Sequence, residues 1–458
     1  MKLLFKGGTV VSGHGTKRAD VLVDGEKIAA VGRSLSAQDA QIVDITGKLL
    51  MPGFIDAHTH FDLEVAGTVT ADDFASGSRA ALHGGTTTIV DFACPNKGET
   101  LHTGLQRWHE KADGRTCCDY SFHMTIDDWN ETIEAELDDM YAAGISSFKM
   151  YMTYPAMMLD DGTIYRVLKK LKEKGGICGV HCENSGVIDA LIAEKKANGQ
   201  MGVSSHPQTR PDYLEAEAVA RLLRIAQAAD APIIIVHLTS AAALREVEAA
   251  RKRGQTVYVE TCPQYLLLDD SVYDNEDFTK AAGYVCAPPI RKSENQKVLW
   301  QGLRRGEIQT ISTDHCSFTA EQKARRRDDF TAIPGGVPGV ETRGELIYSF
   351  GVTTRKISLA TMCKTLSENP ARLYGLFPRK GIIRPGSDAD LVIYDPQADH
   401  VIRGEDMVGR AGYTPFEGFV TRGGIEQVWL RGKLAVDHGT VLAQEGDGQY
   451  LARGKNAL

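Results

Sequence analysis

Residues 52–60 read Pro-Gly-Phe-Ile-Asp-Ala-His-Thr-His, an apolar run that ends in two histidines, His58 and His60. Side chains alternate across a β-strand, so both imidazoles would project from the same face. Two neutral imidazoles on one face can bind one divalent cation, and a catalytic centre also needs an anionic ligand and an open position for water. This stretch therefore predicts a metal-dependent hydrolase.

Seven further β-type apolar runs follow the first, and helical stretches such as residues 213–223 alternate with them. Alternation of this kind is typical of parallel βα units. Eight such units predict an α/β fold, a closed (β/α)8 barrel of the TIM type. The eight runs are Phe54 to His58, Thr87 to Phe92, Tyr120 to Met124, Ser146 to Tyr151, Ile177 to His181, Ile233 to His237, Val257 to Thr261 and Thr310 to Asp314.

Both ends of the chain have a different, all-β character. Short β-type runs flank the turn Asp24-Gly25, and similar runs flank Arg431-Gly432. Neither end carries enough strands for a stable sheet domain, so we predict that the termini pair into one small β-sandwich. The predicted organisation is a sandwich of residues 1–50 with 380–445, a catalytic barrel of residues 51–379, and a C-terminal tail of residues 446–458.

Composition excludes several classes of function. The formal net charge is -8, and no block of basic residues interleaved with aromatic ones offsets it, which argues against nucleic-acid binding. No apolar stretch approaches the roughly 18 residues of a membrane span. The nine cysteines are odd in number and form no CxxC pair, which favours a reducing compartment, the cytoplasm.

Polar residues at the ends of the apolar runs are the candidate site residues. In TIM-type barrels the catalytic groups lie where strands end and βα loops begin. A single histidine at such a position is more often a hydrogen-bonded packing residue than a ligand. Four histidines together with an aspartate and a lysine make a much more specific signal for a metal centre. These residues are His58, His60, Lys149, His181, His237 and Asp314.

Lys149 is the unusual member of this set. An ammonium group has no lone pair, and by itself the residue is better explained by a stem that lies along apolar surface with the charged head in water. Carbon dioxide, however, converts a lysine amine to a carbamate, an anion that can bridge two metals. Two divalent ions then meet three negative charges, from the carbamate, Asp314 and a bridging hydroxide, and the centre stays slightly electrophilic.

Four longer motifs carry a resemblance to a known family. They are Ser-Phe-Lys-Met-Tyr-Met-Thr-Tyr at 147–154, Val-His-Cys-Glu-Asn at 180–184, Glu-Thr-Cys-Pro-Gln-Tyr-Leu at 260–266 and Thr-Asp-His-Cys at 313–316. With the histidine pair, they resemble the dihydropyrimidinase and D-hydantoinase family of the binuclear amidohydrolase superfamily, over nearly the whole chain. The resemblance implies two divalent metal ions, usually zinc. His58, His60 and Asp314 would hold one, His181 and His237 the other, and carbamylated Lys149 would bridge both.

The resemblance also implies a reaction and a substrate class. Asp314 would act as metal ligand and base, Tyr154 would hydrogen-bond the substrate carbonyl oxygen, and backbone groups near Ala287 and Gly335 would bind the cyclic imide or ureide. Alanine and glycine replace the serine and asparagine that are common at the last two positions. The expected reaction opens 5-substituted hydantoins or dihydropyrimidines to N-carbamoyl amino acids. Members of the family commonly form homotetramers, to which the tail from about Glu445 could contribute contacts.

Two alternatives remain from the sequence. An allantoinase or dihydroorotase would share the metal set but use different substrate loops. A non-catalytic interaction protein, like the collapsin response mediator proteins, would resemble a dihydropyrimidinase yet lack the metal ligands. Residues 206–211 also resemble the family without an assigned catalytic role. Apolar residues after the histidine pair and after Tyr154 favour a bulky or apolar ring substituent, or else they pack on each other or on a second subunit; they are Leu63, Val65, Pro155, Met157, Met158 and Leu159.

Overall fold

The computed structural model describes residues 1–458, and its centre is a barrel of eight parallel strands. Each strand pairs with the next along the chain, and a parallel bridge between Thr59 and His315 joins the first strand to the segment after the eighth. The predicted (β/α)8 architecture is confirmed. In chain order the barrel strands are Phe54–Thr59, Thr86–Ala93, Asp119–Thr125, Ser147–Tyr151, Ile177–His181, Ile233–Ile235, Val257–Thr261 and Thr310–Ile311.

Two barrel strands are shorter than the sequence predicted. The sixth ends at Ile235 and the eighth at Ile311, so His237 and Asp314 lie in the loops that follow. Their backbones have φ values of +36° and +53°, in the left-handed region that β-ladders do not accommodate. The change of backbone direction therefore ends each strand just before the polar residue. We call the carboxyl-terminal ends of the strands the rim, and the opposite ends the base.

Helices surround the barrel and follow most of its strands. The α-helices are Phe74–His83, Leu101–Ala112, Glu131–Ala142, Asp161–Lys174, Ser185–Ala197, Ser205–Thr209, Asp212–Ala229, Ala241–Lys252, Pro263–Leu267, Phe278–Gly283, Glu294–Arg305, Ala320–Lys323, Arg343–Ile347, Leu359–Cys363 and Asn369–Leu373. Short 3-10 helices span Asp270–Asp274, Phe330–Ala332 and Gly404–Asp406, and π-helical turns span Tyr348–Val352 and Lys364–Glu368.

The helix Asp161–Lys174 shows how local sequence sets these elements. Asp160 caps its start by accepting a hydrogen bond from the backbone N–H of Thr163. Gly175 ends it with a φ of +76°, a conformation that costs glycine little. Apolar residues at helical spacing, including Ile164 and Leu171, are buried. The helix thus begins, packs and ends where its sequence dictates.

The termini form two sheets that pack face to face, as predicted. A four-stranded sheet contains Lys27–Gly32, Asp20–Asp24, Lys2–Lys6 and Ala40–Asp44. A seven-stranded sheet mixes both ends of the chain and contains, in spatial order, Thr440–Val441, Lys433–Asp437, Gly424–Leu430, Leu391–Asp395, Leu49–Pro52, Thr9–Ser12 and Gly15–Arg18. Met51 of the amino-terminal part lies opposite Val392 of the carboxyl-terminal part.

The sandwich has its own apolar core and a charged link to the barrel. Its core includes Phe5 and Trp429, whose ring centroids are 5.2 Å apart. Lys380 is buried, and its Nζ lies 2.5 Å from carboxylate oxygens of both Asp119 in the barrel and Asp390 in the sandwich. A buried ion network of this kind is destabilising to break. The domain boundaries at 50, 380 and 445 stay predictions.

The C-terminal tail packs against the base of its own barrel. Leu451 is buried, and Tyr450 pairs with Tyr120 near the start of the third strand. The buried Arg453 guanidinium donates hydrogen bonds from Nε to Ser121 at 2.8 Å and from Nη1 to Ser147 at 2.7 Å. The tail therefore closes the end of the barrel that lies opposite the rim.

Two further features bear on the sequence analysis. All nine cysteines are free and buried. No helix in the structure combines the length and the apolar character needed to cross a membrane.

Candidate active site

The structure brings the six predicted metal ligands together at the rim. Asp314 Oδ1 lies 3.2 Å from Nε2 of His58 and 3.2 Å from Nε2 of His60. Lys149 extends from the fourth strand, and its Nζ lies 3.5 Å from Nε2 of His58. The two histidines and the lysine are buried, and Asp314 is half-buried.

The remaining two histidines complete the cluster. The ring centroids of His181 and His237 are 4.6 Å apart, and those of His58 and His237 are 5.4 Å apart. Ligand atoms of His58, His237 and Asp314 all lie within 4.8 Å of one another. The residues come from five strand ends that are far apart in sequence, so the barrel itself assembles the cluster.

Burial determines the protonation of the cluster. It lowers the pKa of His58 and His237 well below the usual value for histidine, and it lowers the pKa of His181. The rings are therefore neutral and carry the lone pair that a metal ligand needs. Burial also lowers the pKa of the Lys149 amine.

Glu260 is a functional candidate that the sequence analysis missed. Its Oε1 lies 2.5 Å from Nδ1 of His58 and accepts a hydrogen bond from the backbone N–H of His237 at 3.2 Å. Burial raises its pKa to about 7. A carboxylate that binds one ring nitrogen fixes the orientation of a ligating histidine. The signal in the sequence is a glutamate inside an otherwise apolar run, Val257-Tyr-Val-Glu-Thr.

Glu183 fixes the orientation of His181 in the same way. Its Oε2 lies 2.7 Å from Nε2 of His181 and accepts a hydrogen bond from Arg210 Nη1 at 2.5 Å. The Arg210 guanidinium also lies over the ring of Tyr154, 5.6 Å from its centroid. The segment 206–211, which had no predicted role, thus supports both His181 and Tyr154.

Tyr154 stands beside the cluster with a free hydroxyl. Its ring centroid is 5.2 Å from that of His181, and its hydroxyl makes no hydrogen bond to another protein group. Burial raises the pKa of Tyr154, so the hydroxyl stays a donor. Its φ of +69° is unusual for a residue with a side chain, and strain of this kind is concentrated at functional sites.

The two predicted main-chain binding positions share one property. Neither the backbone N–H nor the carbonyl of Ala287 or Gly335 has a hydrogen-bond partner in the chain. The adjoining residues are held: Cys286 O accepts from His206 Nε2 at 2.8 Å, and Val285 O accepts from Gly336 N at 2.9 Å. Both positions therefore keep free polar groups on immobilised backbone.

The apolar loops take different positions around the rim. Glu64–Val65 pairs with Thr68–Val69 in a small hairpin after the histidine pair. Met158 lies in the loop after Tyr154 and is 39% exposed, which leaves it available to an apolar ligand.

The donor set fits a pair of divalent metal ions. It contains four imidazoles, one carboxylate and one lysine. Because Glu260 occupies Nδ1 of His58 and Glu183 occupies Nε2 of His181, each ring keeps its other nitrogen for a metal. A nitrogen of His237, Nδ1, is buried without a partner.

Comparison with known proteins identifies the class. Residues 49–435 match the model of the amidohydrolase family. The chain belongs to this family of metal-dependent hydrolases.

Individual relatives narrow the identification. The chain is 42% identical to a D-hydantoinase of Geobacillus stearothermophilus over 99% of this chain and 97% of that protein. It is 40% identical to a D-phenylhydantoinase of Escherichia coli over 99% and 98% of the two proteins. The crystal structure of a dihydropyrimidinase from Brevibacillus agri matches with a TM-score of 0.98 and 42% identity over 100% of both chains. Within the amidohydrolases, the chain is a member of the dihydropyrimidinase and D-hydantoinase group, as the motifs indicated.

Proposed function

We propose that this chain hydrolyses the ring of 5-substituted hydantoins or dihydropyrimidines and releases an N-carbamoyl amino acid. One observation carries the proposal: four histidines, a lysine and an aspartate converge at the rim, with Tyr154 and its free hydroxyl beside His181. The names of the relatives, D-hydantoinase and dihydropyrimidinase, support the same substrate class.

Two metal ions, zinc in this proposal, fit the cluster. His58, His60 and Asp314 would hold one, and His181 and His237 would hold the other. When bound, the pair supplies a water of lowered pKa and a Lewis acid for the carbonyl oxygen.

We propose that Lys149, as a carbamate, would help to hold both ions. Its amine forms one N–C bond with CO2 and releases one proton, so the side chain becomes an anion. The structure supports this because Lys149 is buried, has no carboxylate within salt-bridge distance, and lies 3.5 Å from a histidine nitrogen. A buried, unpaired ammonium would be costly in that position.

Asp314 and Tyr154 would carry the proton and the developing charge. The carboxylate of Asp314 accepts the proton of the attacking water and passes it to the leaving ring nitrogen. The Tyr154 hydroxyl donates a hydrogen bond to the carbonyl oxygen as negative charge develops there. The ring C–N bond breaks, and the product carries a carboxylate and a carbamoyl group.

The backbone at Ala287 and Gly335 would bind the ureide or imide of the ring. The N–H and carbonyl groups there match the alternating acceptors and donors of such a ring. Because these are main-chain groups, alanine and glycine preserve them where the family commonly has serine and asparagine.

We further propose a preference for D-configured substrates with a bulky or apolar substituent. The names of the relatives, D-hydantoinase and D-phenylhydantoinase, support this preference. The exposed Met158 beside Tyr154 supports an apolar contact with the substituent.

The alternatives are less well supported. The D-hydantoinase and D-phenylhydantoinase named above match nearly the whole chain, which supports a hydantoinase over an allantoinase or dihydroorotase. A non-catalytic interaction protein has no need of a complete ligand set, and this chain retains all six residues.

Homotetrameric assembly and a cytoplasmic location belong to the same proposal. The family resemblance supports the first, and nine free thiols support a reducing compartment for the second.

The decisive experiment compares substrates on one purified preparation. The enzyme is expressed with ample zinc and CO2, and kcat/KM is measured on D- and L-5-phenylhydantoin, dihydrouracil, allantoin and dihydroorotate. We expect kcat/KM on D-5-phenylhydantoin or dihydrouracil to exceed that on allantoin and dihydroorotate by at least about 100-fold, because a buried polar group left unpaired by the wrong ring costs about 1 to 3 kcal/mol.

A higher kcat/KM on allantoin or dihydroorotate would overturn the substrate assignment. Protein without bound metal and without activity on any substrate, despite ample zinc, would favour the interaction protein.

A further inference from the structure

Lys323 is an unusual buried lysine outside the metal cluster. Its side chain is completely buried at the end of the short helix Ala320–Lys323. No carboxylate lies within salt-bridge distance of its Nζ, whereas buried lysines are normally paired with an acid. Lys380, by contrast, contacts three aspartates.

The only polar partners of the Lys323 amine are two backbone carbonyls. Nζ donates to Val285 O at 2.7 Å and to Pro334 O at 2.8 Å. Val285 lies two residues before Ala287, and Pro334 immediately precedes Gly335. One side chain therefore connects the two main-chain segments that are proposed to bind the substrate ring.

Other contacts show how tightly these segments are packed. Gly336 donates to Val285 O at 2.9 Å, which joins the segments directly. A Cβ at Gly336 would lie 2.4 Å from Cys316 O, so no larger residue fits there. A Cβ at Gly335 would meet nothing within 4 Å, so this position faces open space. The packed side of the loop thus contacts protein, while Gly335 points away from it.

The bonding of Lys323 suits a neutral amine. Its neighbours include the thiols of Cys286 and Cys316 and the imidazole of His206, and burial lowers the pKa of His206 to about 3, so that ring is neutral. A neutral amine has two N–H donors, which matches the two carbonyl acceptors. The contacts are satisfied without a counter-ion.

We propose that Lys323 is a positioning residue for substrate: by holding Val285 O and Pro334 O, it fixes the distance between the backbone groups of Ala287 and Gly335 that bind the ring. This inference rests on the proposed function of those two positions. Lys323 does not touch the reacting atoms or any proposed metal ligand. Its loss should weaken binding of the ring more than it slows the chemical step.

The first test measures the kinetics of Lys323→Met, which keeps the unbranched shape of the side chain, one atom shorter, but removes both donors. We expect KM for the preferred substrate to rise about 10- to 100-fold, as two ordinary hydrogen bonds would give, with kcat within about threefold. Metal content should equal that of the wild type. Lys323→Gln retains two N–H donors and should recover part of the KM.

The second test measures hydrogen exchange, which does not depend on activity. In Lys323→Met the hydrogen-bonded backbone amides of Tyr284, Val285 and Gly336 should exchange faster than in the wild type. Arg453→Met is a matched control, because Arg453 is also a buried cation without a carboxylate partner but lies at the base. That variant should leave both KM and exchange in these segments unchanged.

The outcomes separate this inference from the proposed function. If the wild-type enzyme hydrolyses no cyclic ureide, the proposed function is wrong. Hydrogen exchange then tests only whether Lys323 holds the two backbone segments in place. An unchanged KM in folded, active Lys323→Met overturns the positioning role, and so does a raised KM with unchanged exchange. If both Lys323 variants fail to fold, the lysine is a general packing residue and the inference is wrong.

Discussion

Two polar side chains, one at the rim and one at the base of the barrel, have opposite surroundings. At the base, the Arg453 guanidinium bonds Ser121, Ser147 and the carbonyl of Phe122. At the rim, the hydroxyl of Tyr154 has no partner in the chain.

This difference separates stability from chemistry within one barrel. Unpartnered polar groups and left-handed backbone cost free energy, and the rim keeps both. The base recovers stability by pairing its buried cation completely. A change at the rim should therefore alter activity more than stability, and a change at the base should do the reverse.

The largest effect should come from Asp314→Ala. It removes a proposed metal ligand and the proton carrier together, so we expect turnover to fall by at least about 10⁴-fold. Steady-state assays with D-5-phenylhydantoin measure the loss of turnover, and elemental analysis measures the metal content. Retained hydrolysis with full metal content would contradict the role of Asp314.

Tyr154→Phe should have the next largest effect. Removing a hydrogen-bond donor to a developing oxyanion costs about 2.7 to 4 kcal/mol, so turnover should fall by roughly 10² to 10³ while the fold persists. Tyr141→Phe is a matched control, since its buried hydroxyl also lacks a partner but contacts Phe148 away from the site. Equal activity of the two variants would remove Tyr154 from the mechanism.

Glu260→Gln should weaken metal retention. The change removes the anionic partner of His58 Nδ1 but keeps the size of the side chain. We expect metal affinity to fall about 10- to 100-fold, measured as residual metal after dialysis against graded chelator. Retention equal to that of the wild type would show that Glu260 only packs against the histidine.

Arg453→Met should change activity least. The substitution leaves Ser121 and Ser147 without their donor, so the midpoint of thermal unfolding should fall by several degrees. We expect kcat/KM to stay within about twofold of the wild type. A large loss of activity with intact metal content would show that the base and the rim are coupled, and the separation proposed above would be wrong.

Much of the barrel was predictable because its strands are apolar runs of strand length between helices. The six candidate ligands were found because each is a polar residue within or just after such a run. The exact ends of the sixth and eighth strands were not predictable, since the left-handed backbone of His237 and Asp314 has no local signal such as glycine.

Residues that support the candidate ligands or the proposed binding backbone were harder to predict from the sequence. Glu260 becomes meaningful only when the barrel brings it against His58. Glu183 lies two residues after His181, but the sequence does not show that the two side chains meet. Lys323 gives even less signal, because its sequence neighbours Arg325, Arg326 and Arg327 suggest a solvated helix face. Its partners are the backbone carbonyl oxygens of Val285 and Pro334, which no pattern of side chains reveals.

The pairing of Met51 with Val392 also has a consequence during synthesis. About 340 residues separate these strands, and at roughly 5 to 20 residues per second a ribosome needs about 20 to 70 s to make them. For that time the strand Leu49–Pro52 has no carboxyl-terminal neighbour and presents an open edge, which is a template for aggregation. Nascent chains stalled before residue 391 should therefore bind chaperones through their amino-terminal strands, and chains extended past residue 430 should release them.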